Sequence, residues 1–202
     1  MIKAAIFDVD GTILDTMRVW RTADEAYLNK LGIPFDEDVY KKMHTMTFET
    51  SVPFFRSAFG IDLPPEKIKE DILEELGRCY GEQVAPIPGA PELIKELYRR
   101  GVKMSVATSN RRDLVNAALS RLGLLSYFSH VLICDELGTG KHEPKIFLLA
   151  ASLMETAPEE TAVFEDSDHA VLTARSAGFV TVKVPEYDLS DENVRKELIM
   201  SL

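Results

Sequence analysis

The sequence predicts an α/β fold, in which a parallel sheet lies between helices and a separate helical domain is inserted after the first strand. Short apolar runs rich in β-forming residues recur along the chain, and helical apolar stripes lie between them throughout residues 86–184. Residues 16–85 contain helical stripes and turn signals without a convincing strand. The 202 residues are enough for one sizeable core and a second, smaller lobe.

Five segments are predicted to be strands because each is a short apolar run of β-forming residues. They are residues 2–7, 102–107, 130–134, 161–164 and 180–184. Apolar residues at helical spacing follow in four stretches between or beyond these runs. They are residues 93–98 before Gly101, 114–122 before Gly123, 146–153, and 170–177 before Gly178. Strands joined through helices in this way pair in parallel, so helices should cover both faces of the sheet.

The inserted segment sets the predicted domain boundaries. We expect residues 1–15 and 86–202 to form the α/β domain, and residues 16–85 to form the helical domain. Turn signals near residues 32–34, 60–62 and 63–65 divide the insertion into about four helices. Beyond the last strand, residues 190–202 predict a peripheral helix that begins at Ser190.

Composition limits the kind of partner the chain can have. The formal net charge is −10, and no run of Lys and Arg forms a basic stripe, which argues against nucleic acid and anionic membrane surfaces. No apolar stretch approaches the length of a bilayer span, and the first residues lack the pattern of a secretory signal, so we expect a cytoplasmic protein. Cys79 and Cys134 are far apart and outside any metal-binding spacing, which predicts free thiols.

Polar side chains collect where the predicted strands end. In an open parallel sheet the carboxyl ends of the strands share one edge, where ligands bind. The residues concerned are Asp8, Asp10, Gly11 and Thr12 after the first strand, Thr108, Ser109 and Asn110 after the second, and Glu165, Asp166 and Asp168 after the fourth. Lys141 lies in a loop after the third strand and can reach the same edge. Taken singly, these residues could also be a turn, a helix cap or a solvated loop lysine.

The run Asp8-Val9-Asp10-Gly11-Thr12, followed in order by Thr108, Lys141 and Glu165-Asp166, resembles the four motifs of the haloacid dehalogenase superfamily of phosphatases. The first motif is specific, since average residue usage produces it in on the order of one 200-residue chain in a thousand. The resemblance implies a Rossmann-like core with an inserted helical cap. It also implies a hydrolase of small phosphomonoesters. We expect a monomer or a weak homodimer.

The resemblance assigns a role to each motif residue. Asp8 is the nucleophile that forms an aspartyl-phosphate, and Asp10 is the general acid and then the general base. Asp8, Asp166 and the backbone carbonyl of Asp10 hold Mg²⁺, which prefers hard oxygen ligands, and Glu165 supports them. The phosphate is bound by Thr108, Ser109, Lys141 and the N–H groups of the Asp10-Gly11 turn.

Substrate selection in this family falls to the helical cap. The candidates in the insertion are Arg18, Arg21, His44, Thr45 and Thr47. After Lys141 the family pattern has Pro, and after the next Pro it has Asp. Here His142 and Lys145 stand in those places, which leaves the geometry of that loop and the metal or substrate preference open.

The resemblance leaves other functions open. A phosphomutase of the β-phosphoglucomutase type shares every motif, but it carries a histidine where this chain, aligned on Asp15-Thr16, has Trp20. Haloacid dehalogenation needs neither metal nor a second aspartate, so Asp10 argues against it. A binding domain that keeps the fold without catalysis is disfavoured because all four motifs are intact.

Overall fold

The computed structural model describes residues 2–16, 18–36, 38 and 48–202, with the backbone alone at residues 20 and 48–51. The chain divides into two compact units. One unit combines Met1–Met17 with Val84–Leu202, and the other is Arg18–Gln83. No helix in the described ranges is both long enough and apolar enough to cross a membrane.

The first unit is built on a five-stranded parallel sheet. Its strands are β1 (Ala4–Phe7), β4 (Lys103–Thr108), β5 (His130–Ile133), β6 (Thr161–Glu165) and β7 (Val180–Lys183), in the spatial order β5-β4-β1-β6-β7. A separate ribbon pairs β2 (Leu14–Asp15) with β3 (Ala85–Pro86) in antiparallel register. The parallel sheet confirms the predicted fold class.

Strand β1 is the central strand of the sheet. It has a hydrogen-bonded strand on each side, and both of its faces are covered. Ile6 pairs with Ser105 of β4 on one side and with Val163 of β6 on the other. All four residues of β1 are buried, as expected for a parallel strand covered on both faces. The order of the sheet therefore places the carboxyl ends of β1, β4 and β6 side by side.

The helices of the first unit alternate with its strands, except the last, which follows β7. They are α4 (Ala90–Arg99), α5 (Arg112–Arg121), α6 (Lys145–Leu153), α7 (Asp168–Ser176) and α8 (Glu192–Ser201). Helix α6 packs Ile146 and Phe147 into the core beside Ala4 and Val163 of the sheet. Burying such side chains stabilises the unit by roughly 1.5–3 kcal/mol each.

The predicted starts and ends of some elements differ from the structure by one residue. Thr108 and Glu165 belong to the ends of their strands, since each continues the ladder with the neighbouring strand. The last helix is capped by Asp191 instead of beginning at Ser190, because the Asp191 carboxylate accepts from the Asn193 N–H at 2.7 Å. Its last residue is tied to the start of the chain, where the Ile2 N–H donates to the Leu202 carbonyl at 3.0 Å.

The second unit is helical where it is described. Its helices are α1 (Val19–Lys30), α2 (Phe48–Phe59) and α3 (Pro65–Arg78), followed by one π-helical turn at Cys79–Gln83. Tyr27 and Phe55 meet edge to face in its interior, with ring centroids 5.7 Å apart. The buried carboxylate of Glu75 contacts Lys30 of α1 and Arg78 of its own helix, which compensates its charge.

Candidate active site

A tight turn after β1 holds the first two aspartates. The Asp8 N–H donates to the Phe164 carbonyl at 3.0 Å, so the chain stays in register with β6 for one residue beyond the strand. The Val9 carbonyl then accepts from the N–H groups of Ile13 at 2.9 Å and Leu14 at 2.8 Å. The turn fixes Asp8 at the carboxyl edge of the sheet, with 8% of its side chain exposed to solvent.

Gly11 is required in this turn for its lack of a side chain. Its φ of +81° is a conformation that L-residues rarely adopt, and a Cβ placed there would lie 2.3 Å from Asp166 Oδ2. The Gly11 N–H donates to the Leu14 carbonyl at 2.8 Å, so the turn itself uses the amide that was expected to bind phosphate. The role of Gly11 in the site is therefore to leave room for the Asp166 carboxylate, which lies against its Cα.

Lys141 joins the ends of two strands. Its ammonium donates to Asp8 Oδ1 and to Glu165 Oε1, and all three side chains are buried. Burial acts to lower the pKa of Lys141, but the Asp8 and Glu165 carboxylates raise it above its ordinary value. Lys141 is therefore a fixed positive charge in contact with Asp8.

Glu165 has both carboxylate oxygens engaged. Oε1 accepts from Lys141, while Oε2 accepts from the N–H groups of Asp166 and Ser167, each at 3.0 Å. The Ser167 hydroxyl adds a third bond to Oε2 at 3.2 Å. Glu165 thus shapes the turn that presents Asp166 and holds Lys141 in place.

Three carboxylates gather close enough to share a cation. Asp8, Glu165 and Asp166 each have an oxygen within 4.8 Å of the others. Burial raises the pKa of Asp8 to about 7; Lys141 opposes this rise, and Glu165 and Asp10 add to it. Burial also raises the pKa of Asp166 to about 6, and Glu165 adds to that rise.

This donor set fits Mg²⁺, which takes hard oxygen ligands and usually needs only one or two carboxylates from the protein. One lysine faces three carboxylates, so the cluster carries an excess of negative charge that a divalent cation would balance. Since Glu165 already bonds through both oxygens, Asp8 and Asp166 are the better ligands.

The end of β4 supplies a hydroxyl and an amide to the same edge. Thr108 is buried and its Oγ1 accepts from the Asn110 N–H at 3.0 Å, which leaves the hydroxyl proton available for donation. The Asn110 side chain donates from Nδ2 to Asp10 Oδ2 at 2.8 Å. The sequence places Asn110 among the polar residues at this edge of the sheet, two residues after Thr108, but none of the four motifs assigns it a role.

Ser109 lies beside this group on a more exposed part of the loop. Its hydroxyl contacts Cys134 Sγ at 3.5 Å, at the end of β5. Cys79 and Cys134 are both free and buried. On the other side of the site, Lys183 at the end of β7 pairs with Asp168 at 2.5 Å.

The candidates in the helical unit are only partly described. Arg18 is exposed at the start of α1, and the Arg21 guanidinium lies 6.0 Å from the centre of the Phe35 ring. His44, Thr45 and Thr47 lie outside the described residues.

Known proteins share both the sequence and the fold. The model of the haloacid dehalogenase-like hydrolase family matches residues 5–184. A phosphorylated carbohydrates phosphatase of Thermotoga maritima is 30% identical over 190 residues, which cover 94% of this chain and 88% of that protein. The fructose-1-phosphate phosphatase YqaB of Escherichia coli is 32% identical over 185 residues, covering 89% of this chain and 94% of its own. A β-phosphoglucomutase of Bacillus subtilis is 27% identical over 190 residues, covering 91% and 83%.

Among solved structures, a Thermotoga maritima protein provisionally named a β-phosphoglucomutase superposes with a TM-score of 0.87 at 26% identity and covers 100% of both chains. CbbY of Rhodobacter sphaeroides, solved in complex with phosphate, gives a TM-score of 0.70 at 28% identity, covering 90% of this chain and 85% of its own. The motif resemblance is confirmed by these matches: the chain is an enzyme of the haloacid dehalogenase-like hydrolase family.

Proposed function

We propose that this protein is a Mg²⁺-dependent phosphatase that hydrolyses a small phosphorylated carbohydrate through an aspartyl-phosphate on Asp8. The observation that carries the proposal is the buried contact of Asp8 with Lys141, beside the carboxylate cluster at the sheet edge. Two relatives that are at least 30% identical over most of the chain are named as phosphatases of phosphorylated carbohydrates or of fructose 1-phosphate.

In the first half of the reaction, an Asp8 carboxylate oxygen attacks the phosphorus of the ester. The bond between phosphorus and the leaving oxygen breaks, and the Asp10 carboxyl gives that oxygen its proton, which releases the alcohol. In the second half, Asp10 takes a proton from a water molecule whose oxygen attacks the phosphorus. The bond to Asp8 breaks, and inorganic phosphate leaves with both aspartates restored.

Attack by one anion on another needs compensating positive charge. Asp8, Asp166 and the backbone carbonyl of Asp10 would hold Mg²⁺, which supplies that charge when it is bound. Lys141 adds a permanent charge in contact with Asp8. Thr108 and Ser109 would donate to the phosphoryl oxygens on which negative charge spreads in the transition state.

We further propose that the helical unit is a cap that selects the organic part of the substrate and excludes water during the reaction. Arg18 and Arg21 are its described candidates for contact with substrate hydroxyls, together with residues 44, 45 and 47. Single alanine variants of Arg18 and Arg21 would raise the KM for a preferred sugar phosphate and leave that for p-nitrophenyl phosphate nearly unchanged.

The central test is a panel of p-nitrophenyl phosphate, fructose 1-phosphate, β-glucose 1-phosphate and glycerol 3-phosphate, with Mg²⁺ and with excess EDTA. We expect phosphate release that depends on Mg²⁺, and its loss by more than about 10³-fold in Asp8→Asn. The matched control, Asp62→Asn, makes the same change at an exposed carboxyl of the helical unit and should keep wild-type rates. Turnover in Asp8→Asn would remove the nucleophile assignment.

The alternative is a phosphomutase, because the Bacillus subtilis relative is named as one. Trp20 stands where mutases of that type carry a histidine, which favours hydrolysis. Phosphorus NMR of β-glucose 1-phosphate incubated with a trace of the 1,6-bisphosphate separates the two. Accumulation of glucose 6-phosphate would favour the mutase, and inorganic phosphate would favour the phosphatase.

A further inference from the structure

We propose that Asn110 is a positioning residue, which orients the Asp10 carboxylate for both proton transfers. This inference rests on the proposed function, since it assigns a partner to the acid and base of that reaction. Asn110 lies outside the four motifs, on a loop one hundred residues after Asp10 in the sequence.

The contact is a direct hydrogen bond between side chains. Asn110 Nδ2 lies 2.8 Å from Asp10 Oδ2, so the amide bridges the ends of β4 and β1. A carboxylate only accepts hydrogen bonds when it is ionised, so the amide nitrogen must be the atom that faces it. A bond of this length between an amide and a charged group is among the stronger side-chain interactions.

The other end of the amide fixes which way the group points. Asn110 Oδ1 accepts from the Arg111 N–H at 2.7 Å. A flipped amide would lose both bonds, because it would set N–H against N–H and oxygen against carboxylate. The orientation that donates to Asp10 is therefore specified by the local backbone.

The loop that carries Asn110 is itself anchored. The Asn110 N–H donates to Thr108 Oγ1 at 3.0 Å, at the end of a central strand. Arg111 pairs with Asp113 in the first turn of α5, with contacts of 3.1 and 2.8 Å. Asn110 thus stands between a strand end and a helix start, both of which restrict its backbone.

Holding one oxygen of Asp10 restricts rotation of the carboxylate and so fixes its other oxygen. A general acid must lie within hydrogen-bond reach of the leaving oxygen, and small displacements of a reacting group cost large factors in rate. Loss of Asn110 should therefore slow the steps in which Asp10 moves a proton. It should leave Mg²⁺ binding close to normal, because Asp8 and Asp166 keep their own supports.

The dependence on the leaving group separates this role from a structural one. p-Nitrophenolate departs without a proton, whereas the alkoxide of an alkyl phosphate needs one. We compare kcat/KM, which reports the first chemical step, for p-nitrophenyl phosphate and for the alkyl phosphate of the panel that the wild type hydrolyses fastest. In Asn110→Ala we expect kcat/KM to fall at least about tenfold more for the alkyl ester than for the aryl ester.

Asn110→Asp provides a second variant that preserves shape. Its carboxylate can still accept from the Arg111 N–H, but it presents an acceptor in place of the donor to Asp10, so it should show the same or a larger difference between esters. Asn116→Ala, at a partly exposed position of α5, is the matched control and should keep both rates. The Mg²⁺ concentration for half-maximal rate should change less than about threefold in either Asn110 variant.

Equal losses for the two esters in both Asn110 variants, or a large rise in the Mg²⁺ requirement, would overturn the positioning role while the phosphatase stands. A wild-type protein that hydrolyses neither kind of ester would instead overturn the proposed function, and with it the role of Asn110.

Discussion

The Lys141 ammonium is in contact with Asp8 Oδ1, and both side chains are more than nine-tenths buried. These residues come from distant parts of the chain, and they meet because the loop before α6 lies over the end of β1. A buried ion pair is weak support for stability, since removing both charges from water costs about as much as their attraction returns. The pair is better explained by reactivity, because it places a positive charge on the proposed nucleophile.

The first prediction is that Lys141→Met lowers both activity and stability. The change leaves Asp8 and Glu165 buried beside each other without compensation, and breaking such a pair costs about 3–5 kcal/mol. We expect kcat/KM to fall by at least about 10² as well, since one charge on the phosphoryl group is lost. Lys196→Met is the matched control, because that lysine is exposed on α8, where it pairs with Glu192 at 2.6 Å. Urea unfolding and phosphate release measure the two effects; near-normal values of both would contradict the assignment.

The second prediction concerns Mg²⁺ and pH. Burial raises the pKa of Asp8 to about 7 and that of Asp166 to about 6, from an unfolded value of 3.8 for each. Between about pH 4 and pH 7 the folded state therefore holds protons that the unfolded state has lost, so the metal-free protein loses stability as the pH rises through this window.

Mg²⁺ binds the deprotonated carboxylates, so it should offset this loss above pH 7 and have little effect at pH 5. Thermal unfolding at pH 5 and pH 8, with 10 mM EDTA or with excess Mg²⁺, measures the effect. We expect the rise in Tm on adding Mg²⁺ to be several degrees larger at pH 8. An equal rise at both pH values would mean that the metal binds elsewhere.

The third prediction tests the close approach at Gly11. A Cβ there would lie 2.3 Å from Asp166 Oδ2, so Gly11→Ala must displace the proposed metal ligand. We expect the Mg²⁺ requirement to rise by at least about tenfold and kcat/KM to fall by about 10². Gly101→Ala is the matched control, since Gly101 also has a positive φ, +78°, but open space around it. A Mg²⁺ requirement of Gly11→Ala that equals those of Gly101→Ala and of the wild type would show that the close approach of Asp166 to Gly11 does not matter for metal binding.

Much of the first unit could be predicted because its signals are local. The apolar run before Asp8 and the turn pair Asp10-Gly11 mark both the strand and its end. Parallel pairing then brings Thr108 and Glu165 to the same edge without further information, since the carboxyl ends of such strands coincide. The chemical roles of these residues came from the family resemblance, because the spacing of apolar residues along the chain carries no information about catalysis.

Contacts between side chains far apart in sequence could not be predicted. The hydrogen bond from Asn110 to Asp10 depends on the rotamers of two side chains that the fold brings together. A motif specifies residue types and their order in the chain, but it does not specify rotamers. The use of the Gly11 N–H by Leu14 depends on the turn's hydrogen bonds for the same reason. The start of the last helix was misplaced because Ser190 and Asp191 are both good caps, and only geometry decides between them.

The fourth prediction comes from the helical unit, where Asp24 of α1 has a pKa raised to about 7 by burial. Its folded pKa lies above its unfolded value, so the cost of keeping it ionised grows as the pH rises from about 4 to 7 and stays in full above that. Asp24→Asn removes the charge at nearly constant volume. It should stabilise the protein at pH 8 by on the order of 1–2 kcal/mol, less than a fully buried charge would give, because this side chain is partly exposed.

At pH 5 the same substitution should stabilise the protein by only about a third as much, because pH 5 lies about a third of the way from the unfolded pKa of 3.8 to the folded pKa of about 7. Urea unfolding of both proteins at pH 5 and pH 8 measures the difference, with Asp62→Asn as the exposed control. A stabilisation of equal size at both pH values would show that the charge is not its source. Asp24→Asn could also lower kcat/KM for a sugar phosphate while it raises stability at pH 8. That result would mean that the buried carboxylate serves substrate binding at the expense of stability, a common trade-off at functional sites.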